Sequence, residues 1–142
     1  MKKYKVLILC VCILAIVTGI AWASWNRIQT ERTQKECISL LEDARAHFAD
    51  FRENHETSSF DQGVRSFTEA TKMLYADGEQ WDNYTESSTM MSVASIMEGA
   101  PALIETNLDY LLLAFDNILK YPLDSVGYHE LLNFLNRCNH TE

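Results

Sequence analysis

Met90–Ile118 reads MMSVASIMEGAPALIETNLDYLLLAFDNI, and the way this stretch folds decides the architecture. Met90, Val93, Met97, Pro101, Ile104, Leu108, Leu111, Phe115 and Ile118 recur every three or four residues, which lays one apolar stripe along a helix. Gly99-Ala100-Pro101 interrupts it, because proline lacks a backbone donor and its ring clashes one turn back. The stripe keeps its phase across the interruption. The expected form is therefore one long helix with a kink, not a reversal, and Tyr121-Pro122 ends it.

On either side the pattern is helical as well. Upstream, Cys37, Leu40, Leu41, Ala44, Phe48 and Phe51 form one stripe, with Glu36, Glu42, Asp43, Arg45, Arg52 and Glu53 outside it. That helix should end near His55–Thr57, where Ser58 or Ser59 can cap the next one. The second helix carries Phe60, Val64, Phe67, Thr71 and Leu74 and stops at Gly78. Asp77–Ser88, DGEQWDNYTESS, reads as a loop. Downstream, Asp124 or Ser125 caps a last helix bearing Val126, Leu131, Leu132, Leu135 and Cys138. No strand-like alternation is found. The fold class expected is all-α, an up-down four-helix bundle following an N-terminal hydrophobic helix.

The cysteines fit that count. In an up-down-up-down bundle Cys37, early on the first helix, and Cys138, late on the fourth, fall at the same end and can form a disulfide. Closing a loop of that length is worth roughly 4–5 kcal/mol in the chain-entropy model. A full reversal at Gly99–Pro101 would add a fifth helix and carry Cys138 to the opposite end.

The chain opens with Lys2, Lys3 and Lys5 and continues into Val6–Ala23, VLILCVCILAIVTGIAWA, which carries no charge. Two readings stand. As a membrane anchor the run is long enough to cross the hydrocarbon core, with Tyr4 at one end and Trp22 and Trp25 at the other. As a signal peptide it has a basic start, an apolar core and Ala21-Trp22-Ala23 as a cleavage site, which would leave a secreted or periplasmic product. With no Pro or Gly between Ile20 and Asn54, one helix can run from the apolar stretch into the domain, which favours the anchor. The three lysines hold the N-terminus in the cytoplasm. Residues 1–5 are then a cytoplasmic basic segment, 6–23 the anchor or signal core, and 24–142 an extracytoplasmic helical domain. Cys10 and Cys12 lie inside the run and read as small hydrophobes, without a lipoprotein box before either.

All 20 acidic residues but only nine of the 12 basic ones fall in residues 24–142, a formal charge of −11. No basic stripe exists for nucleic acid. Lys72 and Lys120 bracket a segment with no Lys or Arg, in which Asp77, Glu79, Asp82, Glu86, Glu98, Glu105, Asp109 and Asp116 fall. It reads as a solvated acidic flank, or as a face for a cationic partner or weakly held calcium. Asn83-Tyr84-Thr85 and Asn139-His140-Thr141 match the glycosylation sequon.

A search for chemistry finds no Glu-x-x-His, Cys-x-x-Cys-His, Gly-x-Ser-x-Gly or phosphate-loop spacing. Asp43, His47 and Asp50 share a helical face at ligand spacing, but that face flanks the apolar stripe and reads as solvated polar surface. No catalytic residue, metal ligand or cofactor is assigned. Two segments are candidates for binding. Trp81 and Tyr84 lie in the acidic loop and read as a lid over the bundle or as an exposed anchor for a protein partner at Asp77–Ser88. Thr89–Ala102, TMMSVASIMEGAPA, reads as core packing or as the wall of a small-ligand cavity at the Pro101 bend. The function expected is a non-enzymatic, membrane-tethered interaction or sensor-like module meeting its partner through a distal loop with Trp81 and Tyr84. The alternative is an exported small-ligand or metal-binding carrier.

Overall fold

The computed structural model describes residues 2–76, 84–122 and 125–140, and the side chains of 12–74, 88–122 and 125–140. Among the described residues the chain is all-helical. Its elements are α1 (Lys2–Asn54), α2 (Thr57–Ala76), α3 (Tyr84–Gly99), α4 (Pro101–Thr106), α5 (Leu108–Lys120), a 3-10 turn (Ser125–Tyr128) and α6 (His129–Asn139). The chain divides into two units, residues 1–35 and 36–142. In the first, the described side chains are nearly all exposed, including Trp22, Trp25 and Ile28. No helix among the described residues is long and apolar enough to cross a membrane. Residues 6–11 of the uncharged run have side chains outside the described set.

The second unit begins at Glu36, one residue before the α1 stripe. Cys37, Leu41, Ala44, Phe48 and Phe51 are buried, with Leu40 partly covered beside them. Aromatic contacts knit α1 to its neighbours. Phe48 meets Phe60 edge-on at 5.6 Å and Phe115 at 5.9 Å; Phe51 meets Phe60 at 5.1 Å, and Phe67 meets Phe115 at 5.6 Å. The ring of His55 also stands edge-on to Phe51. Such pairs are worth about 0.5–1.5 kcal/mol each beyond the area they bury. Gly63 of α2 permits the close approach: a Cβ there would stand 3.1 Å from the Phe48 ring.

α1 ends where expected, on a residue not expected to end it. His55 takes φ 55°, the left-handed cap position that glycine usually fills, and its N–H donates to Phe51 O at 2.8 Å. Neither Ser58 nor Ser59 starts α2. The Ser59 and Phe60 N–H groups both bond Glu56 O, while the buried Ser59 hydroxyl donates back to Asp50.

The segment around Pro101 reverses the chain. Arg45 pairs with Asp116 at 2.6 Å and Arg52 with Asp109 at 3.3 Å, so α5 runs antiparallel to α1. α2 is also antiparallel to α1, since Phe48 and Phe51 meet Phe60 while Cys37 Sγ lies 3.6 Å from Ala70 O. α3 packs on α2, and α5 starts at the Arg52 end of α1. The connection from Gly99 to Leu108, mostly coiled in α4, is too short to return from the Cys37 end, so α3 runs antiparallel to α2 and parallel to α1. Between Gly99 and Leu108 the chain therefore turns round, against the kinked single helix expected from the phase.

Two backbone breaks do this. Ala100 leaves the helical region (φ −144°, ψ 63°), with Pro101 starting the six-residue α4 at the position where its missing N–H costs nothing. Asn107 is the second break. Its N–H is shared between Leu103 O and Ile104 O, and its side-chain amide donates to Leu103 O at 3.0 Å. The phase survived because both arms bury their stripes in one core: Met90, Val93 and Met97 before the break, Ile104, Leu108, Leu111, Phe115 and Ile118 after it. Pro101 itself is exposed.

The extra pass separates the cysteines. Cys37 and Cys138 are both free thiols and both buried, and no bridge joins them. Cys138 follows Arg137, whose guanidinium lies 3.9 Å from the Tyr110 ring, beside Asp109 and its partner Arg52. Arg52 stands about 22 Å along α1 from Cys37, whereas a disulfide needs Cα atoms within about 7 Å.

The last helix is also displaced from its expected phase. Leu131, Phe134 and Cys138 are buried, while Val126 and Leu132 are exposed and Leu135 is half-covered. The 3-10 turn resets the register, and α6 starts at His129 without a side-chain cap. Gly127 forces that turn against α5: a Cβ there would stand 2.6 Å from Tyr121 O and 3.2 Å from Asn117 O.

Candidate functional site

Trp81 lies outside the described residues. Tyr84 is the first residue of α3, so the loop expected over Asp77–Ser88 becomes helical from Tyr84 onward, and the Tyr84 side chain lies outside the described set. The expected Gly78 stop also falls outside. The flanks of the loop are nonetheless placed. The last described turn of α2 and the first of α3 stand at the Cys37 end of the unit.

Thr89–Ala102 splits between the two roles weighed for it. Thr89, Met90, Val93, Ala94 and Met97 are core. Met91, Ser92, Ser95 and Glu98 face outward and line surface clefts. One cleft of 390 Å³ lies against the reversal, between Phe51 and His55 of the α1 end and Glu105 and Leu108. Met91 and Ser95 instead line the α2/α3 seam, where two antiparallel helices leave a groove of 330 Å³. Thr68, Thr71 and Lys72 supply one wall; Met91, Ala94, Ser95 and Glu98 supply the other. Its floor is apolar and covered, with Thr71 and Ala94 both buried. Thr71 commits its hydroxyl to Phe67 O at 2.8 Å, which leaves its methyl for the groove. Thr68 differs, since its hydroxyl oxygen is buried and has no hydrogen-bond partner. At the rim, Lys72 and Glu98 are exposed, and neither forms an ion pair among the described residues.

A small-molecule site is typically an apolar concavity with a few unspent polar groups, and this groove has that make-up. The larger cleft between α5 and α6, 640 Å³, does not. There the Arg137 guanidinium stacks on Tyr110, and Asn133 donates to Glu130. On the other flank of α3 a 460 Å³ cleft against α6 shares Met91 and Ser95 with the groove.

The remaining polar candidates are accounted for locally. Asp50 accepts from Ser59 and Asn54, and those two hydrogen bonds, with a smaller contribution from His47, hold its carboxyl below the usual carboxylate range. Asp43, His47 and Asp50 gather no metal-ligand group, and no cluster of three such ligands occurs among the described residues. Burial pushes the Cys37 thiol up to about 11, and raises Cys138 in the same direction. Both are inert core groups.

No protein-family model, curated protein or solved structure matches this chain. The α2/α3 groove was half legible in the sequence. The Met-rich segment pointed to it, but Thr68, Thr71 and Lys72 lie on another helix and carry no motif of their own.

Proposed function

We propose that the chain is a non-enzymatic, membrane-tethered interaction or sensor-like module, held through residues 6–23 with the helical unit outside the membrane. The observation that carries this reading is the continuity of α1. One helix holds the uncharged run and also places Leu41, Ala44, Phe48 and Phe51 in the core. The lysines at positions 2, 3 and 5 and the acidity of residues 24–142 support the orientation. In this reading a protein partner meets the Asp77–Ser88 segment through Trp81 and Tyr84.

Two measurements test it. Alkaline extraction of native membranes should leave the full chain in the bilayer fraction, and protease added from outside should reach residues 24–142. Recovery in the cytosol would sink the proposal. Trp81→Ala with Tyr84→Ala should then abolish partner capture at an unchanged melting temperature.

The second reading, a small-ligand carrier, is favoured by the apolar α2/α3 groove, whose rim charges Lys72 and Glu98 form no ion pair among the described residues. A ligand that raises the melting temperature and shifts the Met91 methyl resonance would support it.

A further inference from the structure

We infer that the α2/α3 groove takes an amphipathic zwitterion, a molecule with a short apolar body whose carboxylate and ammonium stand about 10 Å apart. The inference rests on the carrier reading and names its ligand class. Because α2 and α3 are antiparallel, Lys72 closes the groove at the Met91 end, and Glu98 closes it at the Thr68 end. Met91 and Glu98 are two helical turns apart, about 10 Å along α3. A cation and an anion thus face one apolar channel from opposite ends.

Both charges are uncommitted among the described residues. A ligand with one charge satisfies one of them and leaves its own tail against the other. A fatty carboxylate would place methylenes on Glu98, and an alkylamine would place them on Lys72. A molecule charged at both ends pairs with each. The covered floor of Thr71 and Ala94 takes its body, and the exposed Met91 thioether can move over it. Two sources share this chemistry, an ω-amino carboxylate and a tripeptide of small residues, whose extended backbone spans about 10 Å.

The test uses the full chain in lipid nanodiscs with methyl-labelled methionine. The probes are 8-aminooctanoate and trialanine, with octanoate and octylamine as single-charge controls. The expected result is a saturable shift of the Met91 methyl by a zwitterion, with both controls about fivefold weaker or worse. Lys72→Met and Glu98→Gln should each weaken the zwitterion by about fivefold and bring it to the level of the controls. Both positions are exposed, so these variants fold, and an unchanged melting temperature verifies that. The tighter of the two zwitterions identifies the source. Octanoate or octylamine binding as well as the zwitterions would overturn the paired-charge inference while leaving a carrier for apolar molecules. No saturable shift from any probe up to about 10 mM would overturn the inference and the carrier reading together.

Discussion

Gly127 shows how little room one residue has where the chain turns into its last helix. Its missing Cβ is filled by backbone, Tyr121 O and Asn117 O, which cannot rotate away as a side chain can. Gly127→Ala should therefore cost about 1–3 kcal/mol, seen as a lower urea midpoint with an unchanged slope. The backbone conformation is not the reason, since no glycine in the described chain has positive φ. His55 is the opposite case, a side chain held in left-handed backbone. His55→Gly should leave stability unchanged or raise it by up to about 1 kcal/mol in the same measurement, relief of strain set against the lost contact with Phe51. Cys37 links burial to pH. Its folded pKa of about 11 lies above the ordinary value of 9.0, so the folded state holds the proton more tightly. The associated stability is complete below pH 9 and drains away as pH rises from there towards 11. Iodoacetamide at pH 8 should modify Cys37 and Cys138 only once the unit is unfolded, and Cys37→Ala should flatten the alkaline side of the stability profile.

At the scale of elements, apolar spacing was a good guide to which residues face the core and a poor guide to direction. The stripes of α1, α2 and the two arms around Pro101 are buried nearly as read. A stripe reports a face, however, and two antiparallel helices covering one core present the same spacing as a single kinked one. Asn107 would have given the reversal away. It is a polar residue at a position the stripe requires to be covered, and its amide is spent on Leu103 O instead of on solvent. Asn107→Leu keeps the burial and removes that bond, so the α4/α5 joint should loosen by about 0.5–1.5 kcal/mol. Amide exchange should then quicken at Tyr110 and Leu111, whose N–H groups bond Asn107 O. The phase of α6 was misread for a related reason. Four residues of 3-10 geometry place side chains at three per turn, and extrapolating the helical repeat through them rotates the face. The groove was legible only on its α3 side, because a site shared by two helices has no spacing within either one.

For the whole molecule, every described residue of the buried core lies between Cys37 and Cys138, so the unit 36–142 holds its own hydrophobic interior. A chain beginning at Lys35 should melt within a few degrees of the full-length protein in circular dichroism. A large loss would mean that residues 1–34 contribute to packing. The ion pairs that record the register, Arg45–Asp116 and Arg52–Asp109, are too exposed to add much to that stability. Aromatic packing among α1, α2 and α5 supplies far more.

That packing sets a schedule for a chain made from its N-terminus. Phe48 finds Phe60 almost at once, but its other neighbour, Phe115, emerges only after a long further stretch of synthesis. Until then the first hairpin has one greasy side open to whatever surrounds it. A ribosome or translocation channel that pauses before Phe115 emerges would hold a half-built protein exposed to aggregation or to a holdase. The hazard closes only when the fifth helix slots between the first two.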